Sequence, residues 1–226
     1  METISIIIPV LNEEEVIKQN LLRLKHSSGI EIILADGGSQ DQTILIAQNM
    51  GVKVVFCTQK GRAYQMNQGA SIATGDILLF LHADTILPNN YPTIIKNVLS
   101  DPQTLAGAFE LGIDSQQLSF RLIERLVNWR SHFFSLPYGD QAIFLKTSIF
   151  REIGGFPYLP IMEDFELIQR LKKRGKIAIA SAKVTTSSRR WQKLGVWKTT
   201  IINQLIIIGY YLGVSPDQLA RLYGRK

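Results

Sequence analysis

Four short polar clusters follow apolar runs in the first hundred residues: Pro9–Glu13, Asp36–Asp41, Lys60-Gly61-Arg62 and His82-Ala83-Asp84. They supply carboxylates, amides and cations, the residue types that hold a charged ligand and move protons. Two further clusters come later, Glu163-Asp164 and Arg189-Arg190-Trp191-Gln192. Arginine is a good bidentate partner for phosphate. Several rival chemistries lack their motifs. There is no G-x-G-x-x-G after the first run, no G-x-x-x-x-G-K-[ST] and no G-x-S-x-G. His26, His82 and His132 have no metal-ligand spacing among them. A phosphate-bearing ligand would therefore be held by a metal and arginines rather than by a glycine cradle. Cys57 is the single cysteine, so neither an internal disulfide nor a cysteine zinc site can form. Its place at the end of the run Val52–Phe56 reads as a buried, inert thiol.

The elements that must position these residues alternate in period. Ile4–Val10 is continuously apolar and β-branched, as a strand buried on both faces would be. Asn12 three before Glu15 suggests a capping box, with a helix running to about His26. Strands are expected at 31–35, 52–56 and 76–81, with helices at 41–50 and 62–73. This alternation implies βαβ crossovers, a parallel sheet and helices on both faces. In such a sheet ligands bind beyond the carboxyl ends of the strands, where all four early clusters fall. The second half predicts strands at 106–113, 141–145 and 176–180, a packed helix at 119–134 and another at 163–173. Gly139-Asp140-Gln141 reads as the opening of a strand that can face a second substrate.

Hydrophobic content of 46% and charged content of 19% fit a globular chain and exclude a disordered or fibrous one. The net charge of +6 is unevenly spread. Residues 1–169 sum to −6 and residues 170–226 to +12, with Asp217 the one acid in the latter. The apolar run Ile201–Val214 lies inside this basic tail. Its 14 residues fall short of the roughly 20 that span a bilayer. Two readings follow. Either Ile201, Leu205, Ile208 and Leu212 pack the helix onto the domain, or the helix lies on an anionic membrane surface. Exposure of the opposite face, Ile202, Ile206 and Tyr210, separates them. Ser215 and Pro216 open a last helix. The start of the chain shows no signal-peptide pattern, so a cytoplasmic location is expected, with peripheral contact at the inner membrane face.

IIIPVLNEEEVI, LADGGSQDQT, GRAYQMNQGASIATGDILLFLHADT and MEDFEL, in this order, resemble family 2 glycosyltransferases of the GT-A fold. The match runs from about residue 4 to 176, and the long third motif resembles a bacterial subgroup that glycosylates arsenosugars or carotenoid-type acceptors. The resemblance implies a single α/β GT-A domain, a Rossmann-like, mostly parallel sheet covered on both faces. Residues 1–100 would bind a nucleotide sugar, 101–190 an acceptor, and 191–226 would add C-terminal helices. It implies that Pro9, Asn12 and Glu13 hold the nucleoside, that Asp36 bonds a uracil, and that Arg62 approaches base or diphosphate. Asp84 matches the last aspartate of D-x-D, the ligand of Mg²⁺ or Mn²⁺, with His82 in place of the first. Asp164, beside Glu163, matches the catalytic base of inverting members. Arg189 and Arg190 resemble a scrambled Q-x-x-R-W motif that would hold the leaving diphosphate. Plainer roles compete: Asp36 as a turn former, Glu163-Asp164 as charges at a helix start, and the two arginines as a basic turn. The implied partners are a UDP-sugar and a small or lipid-like acceptor, with no nucleic acid and with a second copy of the chain as an option. The rivals are a sugar-phosphate nucleotidyltransferase, which would want a Gly-rich loop where PVLNEEE stands, and a non-catalytic nucleotide- or lipid-binding module.

Overall fold

The computed structural model describes residues 2–24 and 29–224; of Arg190, Lys193 and Leu194 only the backbone is described. The expected helix end near His26 lies outside these residues. The first half alternates as its periods require: β1 (Ile4–Val10), α1 (Glu14–Leu24), β2 (Ile30–Asp36), α2 (Thr43–Asn49), β3 (Lys53–Phe56), α3 (Arg62–Ser71) and β4 (Ile77–Phe80). It continues through β5 (Thr85–Ile86), α4 (Tyr91–Leu99), β6 (Thr104–Asp114), α5 (Leu118–Phe134), a 3-10 turn at Gly139–Gln141, β7 (Phe144–Lys146), α6 (Thr147–Glu152), α7 (Glu163–Lys172) and β8 (Lys176–Ser187). The C-terminal helices are α8 (Arg189–Leu194), α9 (Val196–Tyr211) and α10 (Pro216–Leu222).

One eight-stranded sheet has the order β3-β2-β1-β4-β7-β6-β8-β5. Its β3-β2-β1-β4 portion is parallel. Strand β7 runs antiparallel to both β4 and β6, and β5 antiparallel to β8, so the second half of the sheet is mixed. The registers pair Val10 with Asp36 and Asp36 with Phe56, which ends the first three strands level. That common edge carries the polar clusters.

Strand β1 shows why its sequence is apolar throughout. Ile4, Ile6, Ile8 and Val10 pack with Ile17, Leu21 and Ile95 from α1 and α4 on one face. Ile7 packs with Ala63, Met66 and Ala70 of α3 on the other. Full burial of one such side chain contributes about 1.5–3 kcal/mol. Gly69 lets α3 lie this close, since a Cβ there would sit 2.5 Å from Ile7 Cγ2.

Several expectations need correction. Asn12 does not cap α1: its φ is +55°, and its Oδ1 accepts from Gln40 N at 2.8 Å. The first turn of α1 is instead capped from α2, where Thr43 Oγ1 and Asp41 Oδ2 accept from the Glu13 and Glu14 N–H groups. Residues 139–141 form a turn, not a strand. The strand expected at 176–180 runs on to Ser187, because it pairs with the whole of β6. Helices α4, α6 and α8 and strand β5 were not foreseen. Cys57 lies one residue past β3 and is only partly buried, not buried as expected; the burial it has pushes its thiol up to about 11. On α9 the faces are reversed: Ile206 is buried with Ile202 and Tyr210 around it, while Ile201, Leu205, Ile208 and Leu212 are exposed. No helix of the described residues is long and apolar enough to cross a membrane. Ser215 does cap α10, accepting from Gln218 N.

Glu31 ties three strands together. Its carboxylate accepts from Ser5 Oγ of β1, from Thr74 N and from Lys53 Nζ of β3. Burial alone would raise its pKa, but the Lys53, Ser5 and Thr74 hydrogen bonds outweigh this and hold it at about 2. The folded value lies below the unfolded one, so the stabilisation is present above pH 4.5 and is lost as pH falls towards 2. Lys53 is half exposed, and solvent screening reduces the effect. Glu31→Gln is expected to lose about 1–2 kcal/mol at pH 7 and almost nothing extra near pH 2. Urea melts at the two pH values measure the difference.

Candidate active site

The sheet edge opens into a cavity of about 370 Å³. Pro9 and Glu13 after β1, Arg62 at the head of α3, and His82 and Asp84 after β4 all line it. The second half of the chain adds Tyr138, Asp140 and Asp164, while Trp191, Asn203 and Ile206 close it from the C-terminal helices.

Arg62 is the hub. Its Nε donates to Glu163 Oε1 at 2.6 Å, and its Nη1 lies 2.9 Å from His82 Nε2. Glu163 is fully buried. Burial opposes the arginine's charge, but Glu163 and then Asp164 more than compensate and hold its pKa up. Met162 precedes this acidic pair in a left-handed conformation, φ +69°, which a non-glycine residue adopts only under tertiary constraint. It turns the chain so that α7 starts with Glu163 directed inward and Asp164 at the cavity. Asp164 Oδ2 accepts from Gly139 N at 2.6 Å. A Cβ on Gly139 would sit 3.0 Å from that oxygen and 3.3 Å from His82 Nε2, so glycine is what lets the 3-10 turn close on both.

A second charged group lies beside the first. Arg189 Nη2 is 3.5 Å from Glu13 Oε2 and 3.7 Å from Asp84 Oδ2. Burial raises the pKa of Asp84 and Arg189 offsets it; Glu13 is raised by burial and by Asp84. Two partly buried carboxylates thus share one long-range cation. No cluster of three His, Cys, Asp or Glu side chains suited to a metal occurs among the described residues. The pair nevertheless fits a hard divalent ion, which takes one or two carboxylates together with phosphate oxygens.

Asp36, the last residue of β2, and Asn12, in the loop after β1, stand outside the cavity lining. Asp36 accepts from the Gly38 and Ser39 N–H groups, and Ser39 Oγ accepts from Asn12 N. Asp36 therefore does act as a turn former. The Arg190 side chain lies outside the described residues. Arg189 opens a helix rather than a turn.

Sequence reasoning did not find Tyr138, Trp191 or Asn203, and it weighed Asp140 chiefly as structural. Asp140 Oδ1, Trp191 Nε1 and Asn203 Oδ1 are sealed from solvent with no hydrogen-bond partner among the described residues, and all three residues line the cavity. Buried polar atoms are nearly always paired, so three orphans around one cavity are a cost that the fold carries at this place. Burial pushes Asp140 up to about 6, against Arg130 and with help from Asp164. The signal that could have found it was the polar string Gly139-Asp140-Gln141 between two apolar stretches.

Comparison with known proteins agrees with this architecture. The family model described as glycosyl transferase family 2 matches residues 5–156. The 4,4'-diaponeurosporenoate glycosyltransferase of Staphylococcus haemolyticus is 38% identical over 98 residues, 40% of this chain. The chain spans about a quarter of that relative's length (26%). A mannosyltransferase from Pyrobaculum calidifontis, solved with GDP-Man and Mn²⁺, superimposes with a TM-score of 0.66 at 18% identity, covering 91% of this chain and 62% of that one. Glucosyl-3-phosphoglycerate synthase from Mycobacterium tuberculosis, solved with Mn²⁺, UDP and glucosyl-3-phosphoglycerate, gives 0.64 at 20% identity, covering 91% and 79%. The two structures are similar in fold alone. With its motifs in order along a sheet of this topology, the chain belongs to glycosyl transferase family 2 and has the GT-A fold.

Proposed function

We propose that the chain transfers a sugar from a nucleotide sugar, UDP-linked, to an acceptor hydroxyl with inversion at the anomeric carbon. The observation that carries this reading is the single cavity in which Asp84, Arg62 and Asp164 meet at the carboxyl edge of the sheet. Residues 1–100 would form the donor half and 101–190 the acceptor half, with the helices of 191–226 as a roof. The acceptor would be small or lipid-like. Asp36, Asn12 and the Ser39 turn would face the nucleoside.

Asp84, with Glu13 beside it, would hold Mg²⁺ or Mn²⁺, which supplies neutralisation of charge on the departing diphosphate. Arg62 and His82 would contribute donors to the same oxygens from the protein side, and Arg189 is placed to add another. The Gly139 N–H fixes the Asp164 carboxylate. Asp164 takes the proton of the acceptor hydroxyl as its oxygen bonds to the anomeric carbon. The bond from that carbon to the diphosphate breaks on the opposite face, and the electron pair leaves with the diphosphate. Asp140, its Oδ1 otherwise unpaired, would accept a hydrogen bond from a second acceptor group.

A thermal-shift screen of UDP, GDP and CDP with Mn²⁺ tests the donor half. At a hundredfold excess over the dissociation constant the bound nucleotide stabilises by about 2.7 kcal/mol. Asp84→Ala is expected to abolish the Mn²⁺-dependent part of the shift while the melting temperature without ligand stays close to that of the parent. An unchanged Mn²⁺-dependent shift removes Asp84 as the metal ligand.

Asp164→Asn is expected to keep donor affinity within about threefold and to lose transfer by about 10²-fold or more, the usual size of a general-base contribution. Transfer at the parent rate would rule out the base assignment.

Asp140 gives a pH signature. Its folded pKa of about 6 lies above the ordinary 3.8, so the folded state holds the proton more tightly between those values. The contribution of this one group to stability is therefore full below pH 4 and is lost as pH rises through 6. Asp140→Asn removes that loss. It should stabilise the protein at pH 7.5 by about 1–3 kcal/mol, leave it nearly unchanged at pH 4, and lower acceptor turnover. Denaturant melts at both pH values read the first two effects.

A further inference from the structure

Two helices turn apolar stripes away from the core. On α5, Leu118, Leu122, Leu126, Trp129 and Phe133 recur at helical spacing and are 84%, 46%, 57%, 59% and 70% exposed. The core contacts come from the opposite face, through Phe120, Ile123, Glu124 and Ser131. The Trp129 and Phe133 rings stack at 5.3 Å, and Phe134 meets both edge-on. On α9 the pattern repeats with Trp197, Ile201, Leu205, Ile208 and, just past its end, Leu212, all more than half exposed. An isolated exposed leucine is ordinary, but contiguous apolar stripes of this size mark a contact surface.

The two helices flank the same cavity and share neighbours at both ends rather than packing on each other. Phe120 and Ile123 of α5 share a cluster with Trp191, against which Val196 of α9 packs. At the other end both reach α7, where Lys172 Nζ donates to Phe134 O and Gln169 Nε2 donates to Tyr211 Oη. Tyr138, just beyond α5, and Ile206 of α9 belong to one cluster and line the cavity between them.

Charge decides what covers the stripes. At about 100° per residue, Arg121, Arg125 and His132 border the α5 stripe on one side and Arg130 on the other. Arg121 pairs with Glu124, His132 with Glu110, and Arg130 lies over the Tyr138 ring, so the outward charge of this border is that of the exposed Arg125. Glu124, the one acid of α5, is buried on the opposite face. Helix α9 carries Lys198 and no acid. Two copies meeting on this face would bring basic borders together, which disfavours a symmetric dimer. An apolar surface carrying negative charge matches both features. We propose that α5 and α9 form one in-plane docking surface for an anionic lipid leaflet. Neither helix crosses it, and the apolar stripes sink to the level of the acyl chains with the arginines at the headgroups. Docking in this way would let a lipid-like acceptor reach the cavity from between the two helices; only that last step rests on the transfer reading.

Flotation of the full chain tests the proposal, with vesicles of phosphatidylcholine alone or mixed with phosphatidylglycerol. The chain is expected to float with the mixed vesicles at low salt, and about tenfold less well with neutral vesicles or at high salt. Tryptophan emission should shift to the blue on binding. The double changes Trp129→Ser with Phe133→Ser, on α5, and Leu205→Ser with Ile208→Ser, on α9, should each weaken vesicle binding about tenfold or more. All four positions are exposed, so the melting temperature and the UDP–Mn²⁺ shift should match the parent. Absence of flotation with anionic vesicles overturns the proposal. So does parent-like flotation of the α5 variant, or a dimer seen by light scattering that the α5 variant dissociates. Flotation without any nucleotide shift would remove the transfer reading and leave the docking surface standing.

Discussion

The site depends on one buried ion pair. Arg62 and Glu163 lie 101 residues apart in the chain, and their contact joins the head of α3 to the head of α7. Glu163 has no access to water, so it must be satisfied from inside. Removing either partner of such a pair typically costs about 3–5 kcal/mol, because the survivor is left as an uncompensated charge. The pair also sets the neighbouring geometry. With Glu163 held inward, the next residue, Asp164, falls where the Gly139 N–H can bind it. With Arg62 held by its Nε, its Nη1 remains against His82 after β4. One interaction therefore aligns the acidic start of α7 with the edge of the parallel strands.

Much of this was legible in the residues. A strand buried on both faces must be apolar at every position, and β1 is. The alternation of periods up to residue 80 follows from crossovers in a parallel sheet, and the polar clusters at the strand ends mark the binding edge. What was not legible depends on contacts distant in sequence. Asn12 has the right spacing for a capping box, yet Asp41 and Thr43 cap α1 from the neighbouring helix, and no local pattern announces that. The antiparallel entry of β7 and the full length of β8 are set by pairing with β6. On α9 apolar residues from Ile201 on fall on both sides of the helix, so periodicity does not say which side faces inward. The packing of Ile206 against Phe165 and Leu219 decides it.

The charges that make the cavity useful also make it costly. Asp140 and Asp84 are both pushed towards their neutral forms by burial, which Arg130 and Arg62 offset only in part for Asp140 and Arg189 only in part for Asp84. A core built only for stability would replace such groups with apolar ones or give them strong partners. That three residues lining one cavity each keep an unpaired polar atom is the same tension in hydrogen bonds rather than charge.

The C-terminal segment acts at both scales of this argument. Arg189 leaves the end of β8 and reaches back to Glu13, Glu15 and Asp84, spanning from the last helices to the first strand's loop. Its distances of 3.4–3.7 Å are those of loose, half-exposed pairs, which hold little energy individually. A denser charge placed between Glu13 and Asp84 would compete with it directly. Arg189 thus joins the carboxylates at the sheet edge to the segment that leads through Trp191 into α9.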